Sequence, residues 1–396
     1  MVVQRYYNIE GKIRNGFKLS RSYEVLDFNF VKLGDPGVIA LARSKSIRQI
    51  KRLTLSSNKL GPEGASALAT SDNLGNLESL KLYKNSISDE GLRFLAGSDR
   101  FPSLKSLRLA WNNIGPEGVR HLSQSPHLKG LTQLVLAENK IGDEGLRILA
   151  QSNAFPALEF LDIRKTGITD EGLKAFAQSD SFPQLSSVDY SDNAVTDEGK
   201  NAVRGFLILT LCHKHLREEG TVLDLSKLGI GDLECRHIAG IEEFKNLRQL
   251  YLELNKITSE GVRALAESPH LNQLDLLSLD RNRIGNEGIA LIAGSENFRN
   301  LQNLMVEANE ISDEGLKAIA GSEILSNLVR LFIEENPYTD EGFNALAESE
   351  FLVNLEYPEF EREEAEEEEE EEEEEFEEVE NVEEIDEEED LDEDDD

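Results

Sequence analysis

The most regular feature of the chain is a run of leucines 27 residues apart. Leu53, Leu80, Leu107, Leu134, Leu161 and Val188 follow one another at that interval. After one step of 35, Leu223, Leu250, Leu277, Leu304 and Leu331 resume it, and Leu26 extends the series backwards to twelve units. With the first of these leucines as unit position 1, apolar residues recur at positions 25, 1 and 3, as in Leu104, Leu107 and Leu109. Alternation at 1 and 3 predicts a short strand with one face buried. Asn fills position 6 in nine units, where its amide can end the strand and satisfy buried backbone groups of neighbouring units. Ser, Thr or Gly at position 9 reads as a helix N-cap. Pro62 and Pro116, or acidic pairs such as Asp89-Glu90 and Asp143-Glu144, then follow at the first helical positions. Apolar residues at 13, 16 and 17 give the helix one buried stripe. Gly at position 12, replaced only by Glu234, predicts a close approach of that helix to the sheet.

One unit is thus strand, Asn turn and helix, and it cannot bury its apolar face alone; twelve stacked units can. The expected fold class is an α/β solenoid, a horseshoe with a parallel sheet on the concave side and helices on the convex side. The pattern L-x-L-x-x-N-x-I-x-D-E-G-L-x-x-L-A-x-S over residues 25–357 resembles the leucine-rich repeat family. Within it the pattern is most similar to the ribonuclease-inhibitor class and to bacterial repeat proteins of that class. The resemblance implies the fold and leaves the function open.

Two breaks set the expected organisation. Residues 1–24 read as an N-terminal cap and 25–199 as a first repeat block. Residues 200–222 form an irregular seam, with eight extra residues and a longer, more apolar helix near 200–216. Residues 223–360 read as a second block closed by Leu355, Tyr357 and Phe360, with Pro358 blocking further strand pairing. Residues 361–396 are a low-complexity acidic tail, expected to be disordered.

Charge sharpens this division. The net charge is −37, and residues 359–396 alone hold 29 Asp and Glu against Arg362, which leaves −9 on residues 1–358. A polyanion joined to a mildly acidic body disfavours nucleic-acid binding, which needs clustered Lys and Arg. The N-terminal residues lack an apolar signal core and no apolar run nears 18 residues, so a cytoplasmic protein (or nuclear, in a eukaryote) without membrane contact is expected. The two cysteines, Cys212 and Cys235, are too few for a disulfide framework.

No nucleotide-binding loop, serine-nucleophile elbow or zincin motif occurs, so no catalytic residue, cofactor or metal is assigned. Cys212, His213, His215, Cys235 and His237 cluster at the seam, but Cys235 fills a core column, and packing accounts for it better than zinc. The concave face carries the candidate partner-binding residues, because positions 2 and 4 point out of the sheet there and position 5 lies at its rim. The first block offers Lys81, Tyr83, Lys84, Arg108, Arg164 and Lys165, with Trp111. The second sets Glu253, Asp280, Glu307 and Glu334 in four consecutive units, a carboxylate ladder on strands about 4.8 Å apart. Like charges side by side cost stability, which makes this a candidate docking strip for a cationic surface. The sequence therefore reads as a non-enzymatic scaffold for a protein partner with a basic surface, its oligomeric state open. One alternative is a GTPase activator: the layout and residues 109–116, LAWNNIGP, resemble the Ran GTPase-activating proteins, departing where Gly would follow the paired Asn. Another is an acidic chaperone of basic proteins acting through the tail.

Overall fold

The computed structural model describes residues 8–356. The chain divides into two compact units, one ending at Lys214 and the other beginning at His215. Tyr357, Pro358, Phe360 and the acidic tail lie outside the described residues.

In the first unit, helix α1 (Ile9–Ser20) buries Ile13 and Phe17 beside the edge strand. Seven three-residue strands follow: β1 (Val25–Asp27), β2 (Arg52–Thr54), β3 (Ser79–Lys81), β4 (Ser106–Arg108), β5 (Gln133–Val135), β6 (Phe160–Asp162) and β7 (Ser187–Asp189). They pair in chain order, all parallel, and the register sets leucine beside leucine from Leu26 to Leu161. Between and after them run α2 (Gly34–Arg43), α3 (Pro62–Ala69), α4 (Ser88–Ala96), α5 (Pro116–Ser123), α6 (Gly142–Ala150), α7 (Asp170–Ala177) and the 19-residue α8 (Asp197–His215).

The second unit opens with a departure from the period. Strand β8 (Leu216–Arg217) pairs antiparallel with β9 (Val222–Asp224). Then β10 (Gln249–Tyr251), β11 (Leu276–Ser278), β12 (Asn303–Met305) and β13 (Arg330–Phe332) continue from β9 in parallel. Their helices are α9 (Asp232–Ala239), α10 (Ser259–Ala266), α11 (Gly285–Ala293), α12 (Asp313–Ala320) and α13 (Asp340–Ala347). At the far end Glu356 makes a parallel bridge to Arg330.

In both units positions 1 and 3 are core: Leu107 and Leu109, like Leu277 and Leu279, are buried. Three side-chain ladders tie one repeat to the next. Asn112 donates from Nδ2 to the carbonyls of Leu82 at 2.8 Å and Leu109 at 2.9 Å. Its own N–H and that of Ile114 donate to Oδ1 of Asn139, at 2.9 and 3.1 Å. The position-6 amides thus satisfy strand ends that have no ladder partner of their own. The recurring serines form a second ladder: Ser98 Oγ donates to Ala69 O and Ser125 Oγ to Ala96 O, closing orphan carbonyls at the end of the preceding helix.

The third ladder adds to one expectation, and the glycine column corrects another. The acidic residue at position 10 caps the next helix: Asp89 Oδ1 accepts from Gly115 N at 2.7 Å, and Asp143 Oδ1 from Thr169 N at 2.8 Å. Gly at position 12 makes room for the neighbouring helix, not for the sheet. A Cβ on Gly91 would lie 3.1 Å from Pro62 Cα and 2.7 Å from Ile87 Cγ2. Where Glu234 replaces that glycine, its carboxylate turns back to accept from Gly231 N at 3.0 Å, capping its own helix. Position 9 is the N-cap where it is Gly61, Gly115 or Thr169. At Gly34, Ser88, Gly142 and Gly285 it is left-handed and already inside the helix.

Candidate functional site

Every repeat leaves its strand through a left-handed residue at position 5. From Phe30 through Ser57, Lys84, Trp111 and Glu138 to Ala308 and Glu335, all have φ between 50° and 63°, and none is glycine. That conformation costs a non-glycine residue roughly 1 kcal/mol, and the sheet ladder holds it in place. Lys84 N donates to Ala110 O at 2.9 Å, Trp111 N to Ala137 O at 3.0 Å, and Leu254 N to Asp280 O at 2.8 Å. The turn lifts the position-5 side chain to the rim of the open sheet face, which is why Trp111 is 43 % exposed.

On the first unit's face the structure brings Tyr83, Lys84 and Trp111 together. The Tyr83 and Trp111 rings meet edge to face with centroids 6.3 Å apart, and Lys84 Nζ sits 4.6 Å from the Trp111 ring centre. Beside them Ala110, Val135 and Ala137 form a small apolar floor against Tyr83 and Phe160. Lys81 and Arg108 stand on adjacent strands, paired in register. They line a groove of about 440 Å³ across β1 to β5, together with Arg52, Lys105, Glu78 and Gln133. Arg52, Lys105 and Gln133 were not among the residues expected from sequence. The signal was present for Arg52 and Gln133, since position 27 faces the same side as position 2; Lys105, at position 26, lies just before β4.

Arg164 does not join this cluster. It forks onto Asp162, Nε to Oδ1 at 2.9 Å and Nη2 to Oδ2 at 2.8 Å, and also reaches Asp189 Oδ2 at 3.1 Å. Asp162 is only 3 % exposed, and its carboxylate holds the guanidinium pKa well above the ordinary value. Lys165 lies 3.5 Å from Glu138. The basic region of this face is therefore confined to β2–β4, and the β6–β7 end is internally compensated.

On the second unit's face Glu253, Asp280, Glu307 and Glu334 follow one another just beyond β10, β11, β12 and β13. Asp280 Oδ1 accepts from Glu307 N at 2.8 Å, and Glu334 Oε2 from Ile333 N at 3.1 Å. Burial pushes the Asp280 carboxyl up to about 7; the Glu307 N–H opposes the shift, and repulsion from Glu307, Glu253 and Glu334 adds to it. Arg281, at the rim, pairs with Glu335 at 2.8 Å. Beside the carboxylates runs a lane that sequence reasoning missed: Tyr251, Ser278, Met305 and Phe332 stand in register at position 2, with Leu276 below. Ser278 is fully buried and its Oγ has no hydrogen-bond partner.

The remaining candidates are packing elements. Asn112, the centre of the segment that resembles a GTPase-activating loop, is 0 % exposed and its amide is taken by the ladder. Both cysteines are free and buried; burial lifts the Cys212 thiol to about 12 and raises that of Cys235 as well. Among the described residues no group of three or more His, Cys, Asp and Glu could hold a metal ion. No described helix is long and apolar enough to cross a membrane.

The leucine-rich repeat family model matches seven segments of the chain, residues 48–69, 76–96, 102–123, 127–150, 156–177, 245–266 and 299–320. Among solved structures, the chain is similar to an internalin (inlF) from Listeria monocytogenes, at 18 % identity and a TM-score of 0.28. That match covers 82 % of this chain and 93 % of that one. No curated protein matches the chain.

Proposed function

We propose that this chain, which is a leucine-rich repeat protein, is a non-enzymatic cytoplasmic scaffold that binds a protein partner on the open faces of its sheets, with the acidic C-terminal segment tuning that binding. The observation that carries this reading is the Tyr83–Lys84–Trp111 cluster. It spends an exposed tryptophan and a cation–π contact where other repeats place Ser57, Asp192 or Ala308, so the fold does not require it. Tryptophan and tyrosine are among the side-chain types that dominate binding energy at protein interfaces. The carboxylate ladder gives the second unit's face the opposite charge, and such complementarity selects partners and steers their approach. Both faces are poor surfaces for nucleic acid, one for want of a continuous basic track and the other for its sign. Of the paired Asn in residues 109–116 that resemble a GTPase-activating loop, Asn112 is enclosed by the repeat and Asn113 alone is exposed.

The test is affinity capture from cell extract with the full chain, Trp111→Ala, and a double charge reversal at Asp280 and Glu307. Circular dichroism confirms that each variant is folded. Specific partners recovered with the parent chain should be lost with one variant or the other. Unchanged recovery by both would overturn the sheet-face reading.

A further inference from the structure

We infer, building on the scaffold reading above, that the first unit's face is a docking site for this chain's own acidic C-terminal segment, which competes there with the partner. Residues 366–375, all glutamate, cross the cationic groove of β2–β4, and Phe376 meets the aromatic cluster beside it. The groove supplies the first argument. Arg52, Lys81, Lys105 and Arg108 line its roughly 440 Å³ with a single carboxylate, Glu78. Among the described residues none of these four cations forms an ion pair; Arg108 only donates to Gln133 Oε1 at 3.3 Å. Neighbouring cations are compensated, Lys51 by Glu24, Arg164 by Asp162 and Lys165 by Glu138. Lys81 stands in register with Arg108, and like charges on adjacent strands repel, so an anion laid across them relieves that cost.

A matching boundary selects the occupant. On the face, the row Arg52, Ser79, Ser106 and Gln133 ends in register against Phe160, and the row Thr54, Lys81 and Arg108 ends against Val135. Cationic side chains thus give way to apolar and aromatic ones within one strand spacing, about 4.8 Å. Beyond that line stand the half-buried Tyr83 and Phe160, packed on the Ala110–Val135–Ala137 floor, and the exposed Trp111. The segment changes character just as abruptly: ten glutamates are followed by Phe376, then by Val379, Val382 and Ile385 at every third residue. An extended chain advances about 3.3 Å per residue, so the glutamate run offers a carboxylate to each cation in any register. Phe376 then sets the register. Forty residues, 357–396, follow Glu356, which is up to about 130 Å of chain. A ligand tethered in this way acts at an effective concentration of order millimolar, which favours the chain's own segment over that of a second copy.

Trp111 is the lone tryptophan, so acrylamide quenching of its fluorescence in the full chain reads this docking with no partner present. The segment should shield Trp111 at about 0.05 M salt and release it at about 1 M, raising the quenching constant about twofold. Phe376→Ala and Lys81→Gln/Arg108→Gln should each show the released value already at low salt. Phe376 lies beyond the repeats, so its variant keeps the test open should the groove variant not fold. Equal quenching of the parent chain and Phe376→Ala at low salt would overturn the inference. Shielding that deepens as protein concentration is raised would also overturn it, because the segment would then come from a second copy. In the capture experiment, Phe376→Ala should recover more partner than the parent chain, and equal recovery would overturn the competition. The two readings fail separately: capture that ignores Trp111→Ala while the shielding holds removes the partner and keeps the docked segment.

Discussion

Asp280→Asn should stabilise the second unit at neutral and alkaline pH. The carboxyl is pushed from 3.8 to about 7, chiefly by burial, with Glu307, Glu253 and Glu334 adding repulsion. A raised carboxyl pKa means that the folded state binds a proton which the unfolded chain has already released. Stability from this group is therefore complete below about pH 4 and is lost as pH rises through 7. Three units correspond to about 4 kcal/mol, and solvent screening at the exposed edge of the carboxyl reduces this to roughly 2 kcal/mol. The amide keeps the oxygen that accepts from Glu307 N at 2.8 Å, so the substitution removes the charge and preserves the bond. The lone tryptophan reports the first unit, so fluorescence misses the effect. Hydrogen exchange on peptides spanning β11 and β12 follows it directly. The protection difference between variant and parent should be small or reversed at pH 5 and favour the variant by pH 8. A difference that stays constant from pH 5 to 8, or a less protected variant at pH 8, would refute the assignment of a strained carboxyl.

The inter-repeat ladders make further predictions. Asn112→Ala strips donors from the Leu82 and Leu109 carbonyls and should cost about 3 kcal/mol; an unaltered urea midpoint by Trp111 fluorescence would contradict the ladder's role. Gly91→Ala should destabilise despite alanine's roughly 1 kcal/mol advantage in a helix, because its Cβ would lie 2.7 Å from Ile87 Cγ2 and 3.1 Å from Pro62 Cα. A raised melting temperature would show that the two helices can separate without penalty. Cys212 and Cys235, buried with raised thiol pKa values, should resist a water-soluble disulfide reagent at pH 8 and react only on unfolding. Rapid labelling of the native chain would place them at the surface.

Much of the fold was legible because a single residue type performs each repeated task. Leucine at positions 1 and 3 and asparagine at position 6 mark the strand and its end wherever they recur. The left-handed turn at position 5 was not legible, because Phe30, Ser57, Lys84, Trp111 and Glu138 share no chemistry. Its conformation is imposed by the neighbouring strand's carbonyl, a partner 26 residues away in sequence. The role of Gly at 12 was misplaced, and the second role of Asp at 10 missed, for a related reason: both act between successive helices, and a pattern read within one unit cannot show that. The candidate site was legible where neighbours agreed, as with Tyr83 and Trp111, and misleading where a same-face neighbour intervened. Asp162 stands two residues before Arg164 on the same side of the strand, and it claims the guanidinium that sequence alone offered to a partner.

The strongest reason to look to the second unit for function lies in what its position 4 is free to be. In the first unit that position holds Asn29, Ser56, Tyr83, Ala110, Ala137, Arg164 and Ser191, and the strands still pair in register. The column therefore tolerates polar, aromatic, small and basic side chains alike, buried as at Ser56 and Ala137 or exposed as at Arg164. Four consecutive carboxylates are then a choice the fold does not make, and one that works against it. Repulsion between neighbours adds to burial in keeping Asp280 protonated near neutrality, and like charges on adjacent strands weaken a sheet. A position that other repeats fill with serine or alanine thus carries, in the second unit, a run that works against its own sheet.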